Sequence, residues 1–269
     1  AILFQLMVTG FYFAYSRQGR HLRYHQYRPY LGFLVFCALF TGLGLVHSVK
    51  WVLGRARPNL VFDKGFEFSG WYEFGPQFIT DGIFYGSFPS GHTATVFLLI
   101  TVAYWLINHP DSSRSSRIKG WIWGGVVIAY SLLMVVGRCM TFDHWITDSI
   151  GIILLSWVFI HLIYFRILKI PAQIRYVKQH ERYAPLPRFW ELDLLWRLFF
   201  MTLGVMSIFI GARSLMLQRS MWLAGVAIPG AMLAYLLFRN VLKVYSNYMT
   251  PFQPFFQEDP ATDKSPELQ

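Results

Sequence analysis

Charged side chains are scarce in this 269-residue chain, where Asp, Glu, Lys and Arg together make up 14% of the sequence. A soluble domain carries about 25% charged residues, so this content argues against a surface that faces water on all sides. Hydrophobic residues reach 55% and aromatic residues 19%. The composition therefore predicts an all-α fold, a polytopic bundle of transmembrane helices, rather than a soluble globular domain.

Cysteines are equally scarce, since Cys37 and Cys139 are the only two. Cys37 falls inside an apolar stretch and Cys139 beside a polar motif, which predicts that no disulfide joins them. The opening apolar run reaches only about Tyr15, and it shows no signal peptide with a cleavage site. We therefore expect a truncated first span.

Acidic residues number 14 against 24 Lys and Arg, which gives a net charge of +10. Such an excess can indicate nucleic-acid binding. Here, however, the basic residues lie mainly in loops between apolar stretches, where they anchor helices to anionic headgroups and set topology. We expect the bilayer as a partner and no nucleic acid.

Seven apolar stretches reach or approach the ~20 residues that a helix needs to cross a bilayer. They cover residues 1–15, 31–49, 91–107, 120–137, 148–165, 198–217 and 221–242. Basic loops alternate with loops whose bases are balanced by acids, and short basic loops stay in the cytoplasm. This pattern predicts that 16–30, 108–119 and 166–197 are cytoplasmic and that 50–90 and 138–147 lie outside, in the periplasm if the membrane is a bacterial inner membrane.

The same stretches predict four regions along the chain. They are a transmembrane core over 1–165, a basic cytoplasmic surface segment over 166–197, two additional transmembrane helices over 198–242, and a largely disordered tail over 243–269. Segment 59–88 is rich in Phe, Tyr, Trp and Gly but too polar to span. We expect it to form an interfacial cap at headgroup depth.

Three short polar motifs fall on the predicted outer face. The first is Lys50, six residues, then Arg57 and Pro58. Seven residues are close to two helical turns, so both cations can face one side, and Pro58 is expected to mark a helix stop. Taken alone, the pair is more typical of basic side chains that anchor a span boundary.

The second motif, Pro89-Ser90-Gly91-His92, opens a predicted span. Ser90 is a good helix N-cap, and Gly91 permits an anion to approach the backbone. His92 would then face whatever binds at the helix start. An ordinary turn into a helix explains the same residues if the motif is considered alone.

The third motif is Arg138, five residues, His144, three residues, Asp148. The four-residue spacing makes His144 and Asp148 neighbours if the segment is helical. A carboxylate on one imidazole nitrogen leaves the other free to attack, and Arg138 can bind phosphate oxygens through two donors. The alternative without catalysis is a loop in which the His and Asp side chains only satisfy each other's hydrogen-bonding groups.

Taken together, the three motifs resemble those of the type 2 phosphatidic acid phosphatase superfamily of lipid phosphate phosphatases. The first two match that pattern as they stand, and the third departs from it only at Gly137, where the family has serine. The missing hydroxyl is expected to loosen phosphate contacts. The resemblance covers roughly residues 31–165 and leaves the last two predicted spans outside.

The resemblance implies a role for each motif residue. His144 would be the nucleophile that forms a phosphohistidine, Asp148 would orient it, and His92 would protonate the leaving oxygen and then activate water. The phosphoryl group would be held by Lys50, Arg57, Ser90, Gly91 and Arg138. The family implies no metal and no other cofactor, and the fixed cations agree. An Asp143–Asp148 metal pair is the weaker alternative, because nearby cations oppose a divalent ion.

We therefore expect an integral membrane phosphatase whose partner is a lipid phosphate substrate, either a phosphomonoester or a pyrophosphate. Phosphatidate, phosphatidylglycerol phosphate, undecaprenyl pyrophosphate and a lipid A phosphate all fit. Two alternatives remain open: a lipid-to-lipid phosphotransferase with the same intermediate, and a non-catalytic lipid-binding or transport protein. The related vanadate haloperoxidases share such a pocket, but the predicted spans disfavour that activity.

Overall fold

A computed structural model describes residues 2–17, 27–75, 86–109, 112–216 and 221–256. This part of the chain is helical and contains no strand. Its α-helices are α1 Ile2–Arg17, α2 Arg28–Cys37, α3 Val46–Leu53, α4 Pro58–Lys64, α5 Gly91–Phe97, α6 Ile100–Asn108, α7 Arg114–Met140, α8 Ile146–Leu162, α9 Ile170–His180, α10 Trp190–Met216, α11 Met221–Gly225 and α12 Ala227–Met249.

Within the described ranges, six helical stretches are long and apolar enough to cross a membrane, which confirms the predicted polytopic helical fold. They are Arg28–Lys64, Gly91–Asn108, Arg114–Met140, Ile146–His180, Trp190–Met216 and Met221–Phe255. The first predicted span corresponds to a shorter apolar helix, Ile2–Ala14. Neither cysteine forms a disulfide, as expected.

The first of the six long stretches delivers the first polar motif to one end of the bundle. It runs from α2 through a π-helical segment, Ala38–Leu45, into α3. The continuous helix ends at Gly54, whose φ of 56° is left-handed and whose amide donates to Lys50 O over 2.9 Å. Glycine adopts this conformation at low cost, so the chain leaves the helix immediately after Leu53, and Lys50 lies in the last helical turn.

Buried aromatic side chains hold the helices together below that end. Phe33 of α2 packs edge-on against Tyr164, with ring centroids 5.1 Å apart, and Tyr104 of α6 lies 5.5 Å from the same ring. Trp190, at the start of α10, is fully buried in the same cluster. Aromatic pairs of this kind add to the free energy of burial, and they join α2 and α6 to the π-helical turn Ile163–Ile167, which carries Tyr164.

The opposite end of the bundle is closed by a buried ion pair between Arg28 and Glu191. Arg28 Nη1 lies 2.5 Å from Glu191 Oε1, and Nη2 lies 2.7 Å from Oε2. The Tyr12 hydroxyl donates to the same carboxylate over 3.1 Å. Because breaking a buried pair leaves an uncompensated charge, this contact locks α1, α2 and α10 in one arrangement.

The last two spans form a close antiparallel pair that is tied to the rest at both ends. A Cβ at Gly230 would lie 2.5 Å from Cβ of Ser207, so only glycine lets α10 and α12 approach this closely. At the motif end, Arg213 donates to the carbonyl oxygens of Val52 and Gly75. Helix α10 therefore contacts both the end of α3, within the first motif, and the segment that follows that motif.

Two predicted boundaries need correction. Helix α10 begins at Trp190 rather than near 198, because the apolar faces of Trp190 and Leu194 enter the core. The predicted tail, 243–269, was expected to be largely disordered because it is Pro-rich and acidic from about Pro251. Its first part is instead helical, since α12 continues to Met249 and a 3₁₀ turn follows over Thr250–Phe255. Phe252 is fully buried and packs on Tyr176 of α9 with centroids 5.5 Å apart. The rest of the predicted tail, 257–269, lies outside the described residues.

Candidate active site

Backbone hydrogen bonds bring the three polar motifs together at one end of the bundle. The Ser90 amide donates to Asp148 O over 3.2 Å, which joins the second motif to the third. The Ser87 amide donates to Arg55 O over 2.8 Å, which joins the segment just before the second motif to the stretch between Lys50 and Arg57 of the first. The resulting site lies between the end of α3, the start of α5, the end of α7 and the start of α8.

The first motif places one cation inside the protein and one at its surface. Lys50 is buried in the last turn of α3, whereas Arg57 is partly exposed in an extended conformation with ψ of 155°. We predicted that Pro58 marks a helix stop, but the helix already ends at Gly54. Pro58 instead opens α4, where its missing N–H costs nothing.

The second motif begins a helix in the predicted way. Ser90 is the fully buried N-cap of α5, and its hydroxyl oxygen accepts from Thr93 N over 3.5 Å. A Cβ at Gly91 would meet Val46 Cγ1 at 3.5 Å, an ordinary contact. Packing within the protein therefore does not require glycine there. His92 is exposed in the first turn.

The third motif departs from the helical geometry that its spacing suggested. His144 lies in the loop between α7 and α8, and α8 begins only at Ile146. Nδ1 of the buried His144 lies 2.7 Å from the carbonyl oxygen of Ser87 and 3.8 Å from Oδ2 of Asp148. Because a carbonyl can only accept, Nδ1 must carry the proton, and Nε2 keeps its lone pair.

The Asp148 carboxylate is fully buried and is held by three donors. Oδ1 accepts from Arg55 Nη1 over 2.6 Å, and Oδ2 accepts from the Trp145 amide over 2.8 Å and from the Ser87 hydroxyl. The motifs do not include Arg55 or Ser87, and sequence reasoning missed both. The only available signal for Arg55 was a third basic residue between Lys50 and Arg57.

At the surface of the site, Asp143 bridges the two arginines that were predicted to bind phosphate. Its Oδ2 lies 3.1 Å from Arg138 Nη1, and its Oδ1 lies 3.8 Å from Arg57 Nη1. The Thr141 hydroxyl also donates to Oδ2, over 2.7 Å. Nε of Arg138 is buried and has no hydrogen-bond partner in the described part of the chain. Both guanidiniums therefore have the Asp143 carboxylate within 4 Å.

Burial and charge both influence the titration of this loop. Burial lowers the pKa of His144 below its ordinary value, and the cations Lys50 and Arg57 act in the same direction, while Asp148 opposes them. Partial burial alone would raise the pKa of the Asp143 carboxyl, but the Thr141 hydroxyl and the arginines hold it below its usual range. Near pH 7 the geometry therefore favours a neutral His144 beside an ionised Asp143.

The residues do not favour a metal ion. No group of three or more His, Cys, Asp and Glu side chains is arranged to hold one in the described ranges. The two carboxylates of the alternative metal pair have other partners, since Asp148 is bound to Arg55 and Asp143 to Arg138.

Gly137 borders open space in the structure. A Cβ at this position would meet no atom within 4 Å. A serine there would therefore begin in open space rather than against a phosphate-binding side chain.

An aromatic surface adjoins the site. Phe68 packs edge-on against Trp145 with ring centroids 5.0 Å apart, and Phe62 lies 5.9 Å from the same ring. Trp71 and Tyr72 are 54% and 71% exposed on the segment that follows. The part of the predicted interfacial cap that the structure describes is thus anchored beside His144 and presents aromatic rings outward. Residues 76–85 of that cap lie outside the described ranges.

The similarity of this chain to known proteins lies at the level of a family. No curated protein and no solved structure gives a significant match to the chain. The model of the PAP2 superfamily matches residues 30–170, a region that contains all three motifs and more than half of the chain. The protein is therefore a member of the PAP2 superfamily, which supports a phosphatase-type function in a membrane-helical protein.

Proposed function

We propose that this protein is an integral membrane lipid phosphatase that hydrolyses a phosphomonoester or pyrophosphate lipid through a phosphohistidine intermediate. One observation carries the proposal. His144 is buried, and its Nδ1 donates to the Ser87 carbonyl over 2.7 Å, in a site bordered by Lys50, Arg57 and Arg138. A neutral imidazole with one nitrogen tied and fixed cations nearby suits attack on phosphorus.

In the first chemical step, Nε2 of His144 forms a bond to phosphorus while the bond from phosphorus to the leaving oxygen breaks. The imidazole of His92 gives a proton to that oxygen from its protonated form. That form is the minor one near pH 7, because the ordinary pKa of an imidazole is about 6.5 and the cation Arg138 lies nearby. Lys50, Arg57 and Arg138 stabilise the charge that spreads over the three remaining phosphoryl oxygens. The Ser90 and Gly91 turn lies beside them and completes the proposed phosphate contact.

In the second step, water attacks the phosphohistidine and the nitrogen–phosphorus bond breaks. His92, now neutral, takes a proton from the attacking water, and inorganic phosphate leaves. The Nδ1 proton of His144 stays on Nδ1 and is donated to the Ser87 carbonyl oxygen throughout. His144 thus acts as the nucleophile and His92 first as the acid and then as the base, and His92 starts the next cycle in its protonated form.

The position of the site supports a lipid rather than a soluble substrate. The motifs lie at one end of membrane-crossing helices, and Trp71, Tyr72 and Phe66 are exposed beside them. Aromatic side chains favour the headgroup region, so the lipid phosphate would reach the arginines from the bilayer surface. The proposed orientation faces the periplasm, and phosphatidate, phosphatidylglycerol phosphate, undecaprenyl pyrophosphate and a lipid A phosphate remain the substrate candidates.

A lipid-to-lipid phosphotransferase would use the same intermediate and the same residues. It differs only in the acceptor, which would be a lipid hydroxyl instead of water. The test is therefore phosphate release by the purified protein in detergent, with each of the four candidate lipids and no acceptor lipid. Glycerol 3-phosphate, which has the phosphoester but no acyl chains, serves as the soluble control.

We expect phosphate release with at least one lipid, with a kcat/KM at least about tenfold above that for glycerol 3-phosphate. Phosphate release only after a second lipid is added would favour the transferase. Absence of release in both settings, with the lipids bound, would favour a lipid-binding or transport protein.

A further inference from the structure

Arg55 is a buried cation that none of the three motifs includes. Its side chain is 4% exposed. Nε donates to Ser69 O over 2.8 Å, and Nη1 donates to the Thr147 hydroxyl over 2.8 Å and to Asp148 Oδ1 over 2.6 Å. The guanidinium carbon lies 5.4 Å from the ring centroids of both Phe68 and Trp145.

These contacts distinguish Arg55 from the other cations of the site. Arg57 and Arg138 are partly exposed and pair with the surface carboxylate Asp143. Arg55 instead points inward and places its charge on Asp148, behind the nucleophile. It is therefore arranged to act on the protein's own carboxylate and not on the phosphate.

Arg55 also supports His144 through its backbone. Its carbonyl oxygen accepts from the Ser87 amide, and the carbonyl oxygen of Ser87 accepts from Nδ1 of His144. The Ser87 hydroxyl donates in turn to Asp148. One residue thus fixes both groups that lie next to Nδ1: the carbonyl that binds it and the carboxylate 3.8 Å away.

We propose that Arg55 is a positioning residue that neutralises Asp148 and so keeps His144 in the neutral, nucleophilic form. This inference rests on the proposed function for its catalytic meaning, but it concerns a residue and a charge relationship that the function itself does not require. A bare carboxylate beside Nδ1 would favour the imidazolium, which cannot attack.

Several other charges face His144, and they define what the experiment must hold constant. They lie on every element around the loop: Lys50 of α3, Arg57 before α4, His92 of α5, Arg138 of α7, Asp143 of the loop itself and Asp148 of α8. Unlike Lys50, Arg57 and Arg138, Arg55 forms an ion pair with Asp148 in the described part of the chain. Replacing Arg55 by a neutral residue therefore leaves the Asp148 carboxylate without its paired cation, while the proposed phosphate-binding cations stay in place.

The experiment compares Arg55→Gln, which removes the charge, with Arg55→Lys, which keeps it. Two quantities are measured against pH: kcat/KM for the best lipid substrate, and the NMR titration of the His144 ring in histidine-labelled protein. The His144 signal is identified by its loss in His144→Gln. The NMR titration needs no turnover, so it remains informative even if the proposed phosphatase activity is not found.

We expect Arg55→Gln to raise the pKa of His144 by about one unit, the lower end of the effect of a nearby charge. The acid limb of kcat/KM should move upward by the same amount, so that the loss of activity approaches about tenfold at pH values well below the His144 pKa and is smaller at pH 7. The loss should fall on kcat, while KM changes less than about threefold. Arg55→Lys should keep the pKa of His144 within about 0.3 units of the wild-type value, because lysine retains the positive charge, although it lacks the several donors of the planar guanidinium.

The double variant Arg55→Gln/Asp148→Asn distinguishes an effect of the Asp148 charge on His144 from a failure of the protein to fold. It removes both members of the buried pair, so no unpaired charge remains if Arg55→Gln alone fails to fold. Relative to Asp148→Asn alone, adding Arg55→Gln should shift the His144 pKa by less than about 0.3 units, as expected if Arg55 acts through Asp148.

Two results would overturn the proposal. One is equal loss of activity in Arg55→Gln and Arg55→Lys with an unchanged His144 titration, which indicates a structural role only. The other is a full shift of the His144 pKa by Arg55→Gln in the Asp148→Asn background, which indicates a direct effect on the ring.

Discussion

Oδ2 of Asp148 lies 3.8 Å from Nδ1 of His144, beyond hydrogen-bonding distance, while the Ser87 carbonyl oxygen lies 2.7 Å from the same nitrogen. A backbone carbonyl therefore fixes the tautomer. Asp148 acts on His144 through its charge and through Ser87, whose hydroxyl it binds. The two residues of the motif are close, but the hydrogen bond that a direct pair would make belongs to a third residue.

This arrangement predicts different losses at the two motif positions. His144→Ala should abolish turnover, because no nucleophile remains, whereas Asp148→Asn should retain about 1–10% of kcat, the usual cost of losing an orienting partner. The measurement is phosphate release by purified protein, with thermal unfolding as the check on folding. Near-normal turnover by His144→Ala would remove it as the nucleophile.

His92 is predicted to matter in proportion to the basicity of the leaving group. His92→Ala should lower turnover of a lipid phosphate by about 10²–10⁴, the usual contribution of a general acid. An aryl phosphate such as 4-nitrophenyl phosphate leaves without protonation and should be affected much less in the first step. Measuring the burst of nitrophenol in rapid mixing isolates that step. Equal losses for both substrates would argue against the acid role.

Asp143 is predicted to weaken phosphate binding, because it occupies the arginines that the substrate needs. Its carboxylate pairs with Arg138 at 3.1 Å and is ionised near neutral pH. Asp143→Asn should therefore lower KM for a lipid phosphate, and the Ki of inorganic phosphate, by about three- to tenfold through the loss of a nearby like charge, with little change in kcat.

Asp63→Asn is the matched control for that prediction. It removes an exposed acid of α4 that makes no ion pair within the described ranges. Its KM should stay near the wild-type value. A rise in KM for Asp143→Asn would instead mean that Asp143 orients the arginines productively.

The sequence predicted the helical fold and the meeting of the three motifs, since both follow from apolar length and from residue patterns. It did not predict that His144 lies outside α8, because a four-residue spacing is also satisfied by a loop followed by a helix cap. Arg55 was missed for a related reason. Its partner Asp148 is 93 positions away along the chain, and only the folded protein brings the two together.

Metal removal is predicted to leave activity unchanged. The charge that a divalent ion would supply is provided by Lys50, Arg57 and Arg138, and Asp143 and Asp148 are bound to arginines. Turnover should survive excess EDTA, and vanadate, which mimics a five-coordinate phosphoryl group, should inhibit it. Loss of activity on chelation, with recovery on adding one divalent ion, would favour a metal at Asp143 and Asp148 instead.

The last prediction concerns the side of the membrane that the site faces. The contacts place Arg213 and the motifs at one end of the bundle, and Arg28 and Glu191 at the other. Loop charge assigns the second end to the cytoplasm, because short basic loops resist translocation whereas segment 50–90 carries compensating acids. In a Cys37→Ala/Cys139→Ala background, Lys64→Cys should therefore react with an impermeant thiol reagent in intact cells, and Lys178→Cys only after lysis.

Both lysines are exposed, so poor access within the protein does not explain a negative result. Labelling both variants after lysis provides the control for reactivity, and phosphate release by the cysteine-free background shows that the fold survives. The reverse pattern would place the site in the cytoplasm and exclude outer-leaflet recycling of undecaprenyl pyrophosphate. It would direct the substrate search to inner-leaflet lipid phosphates.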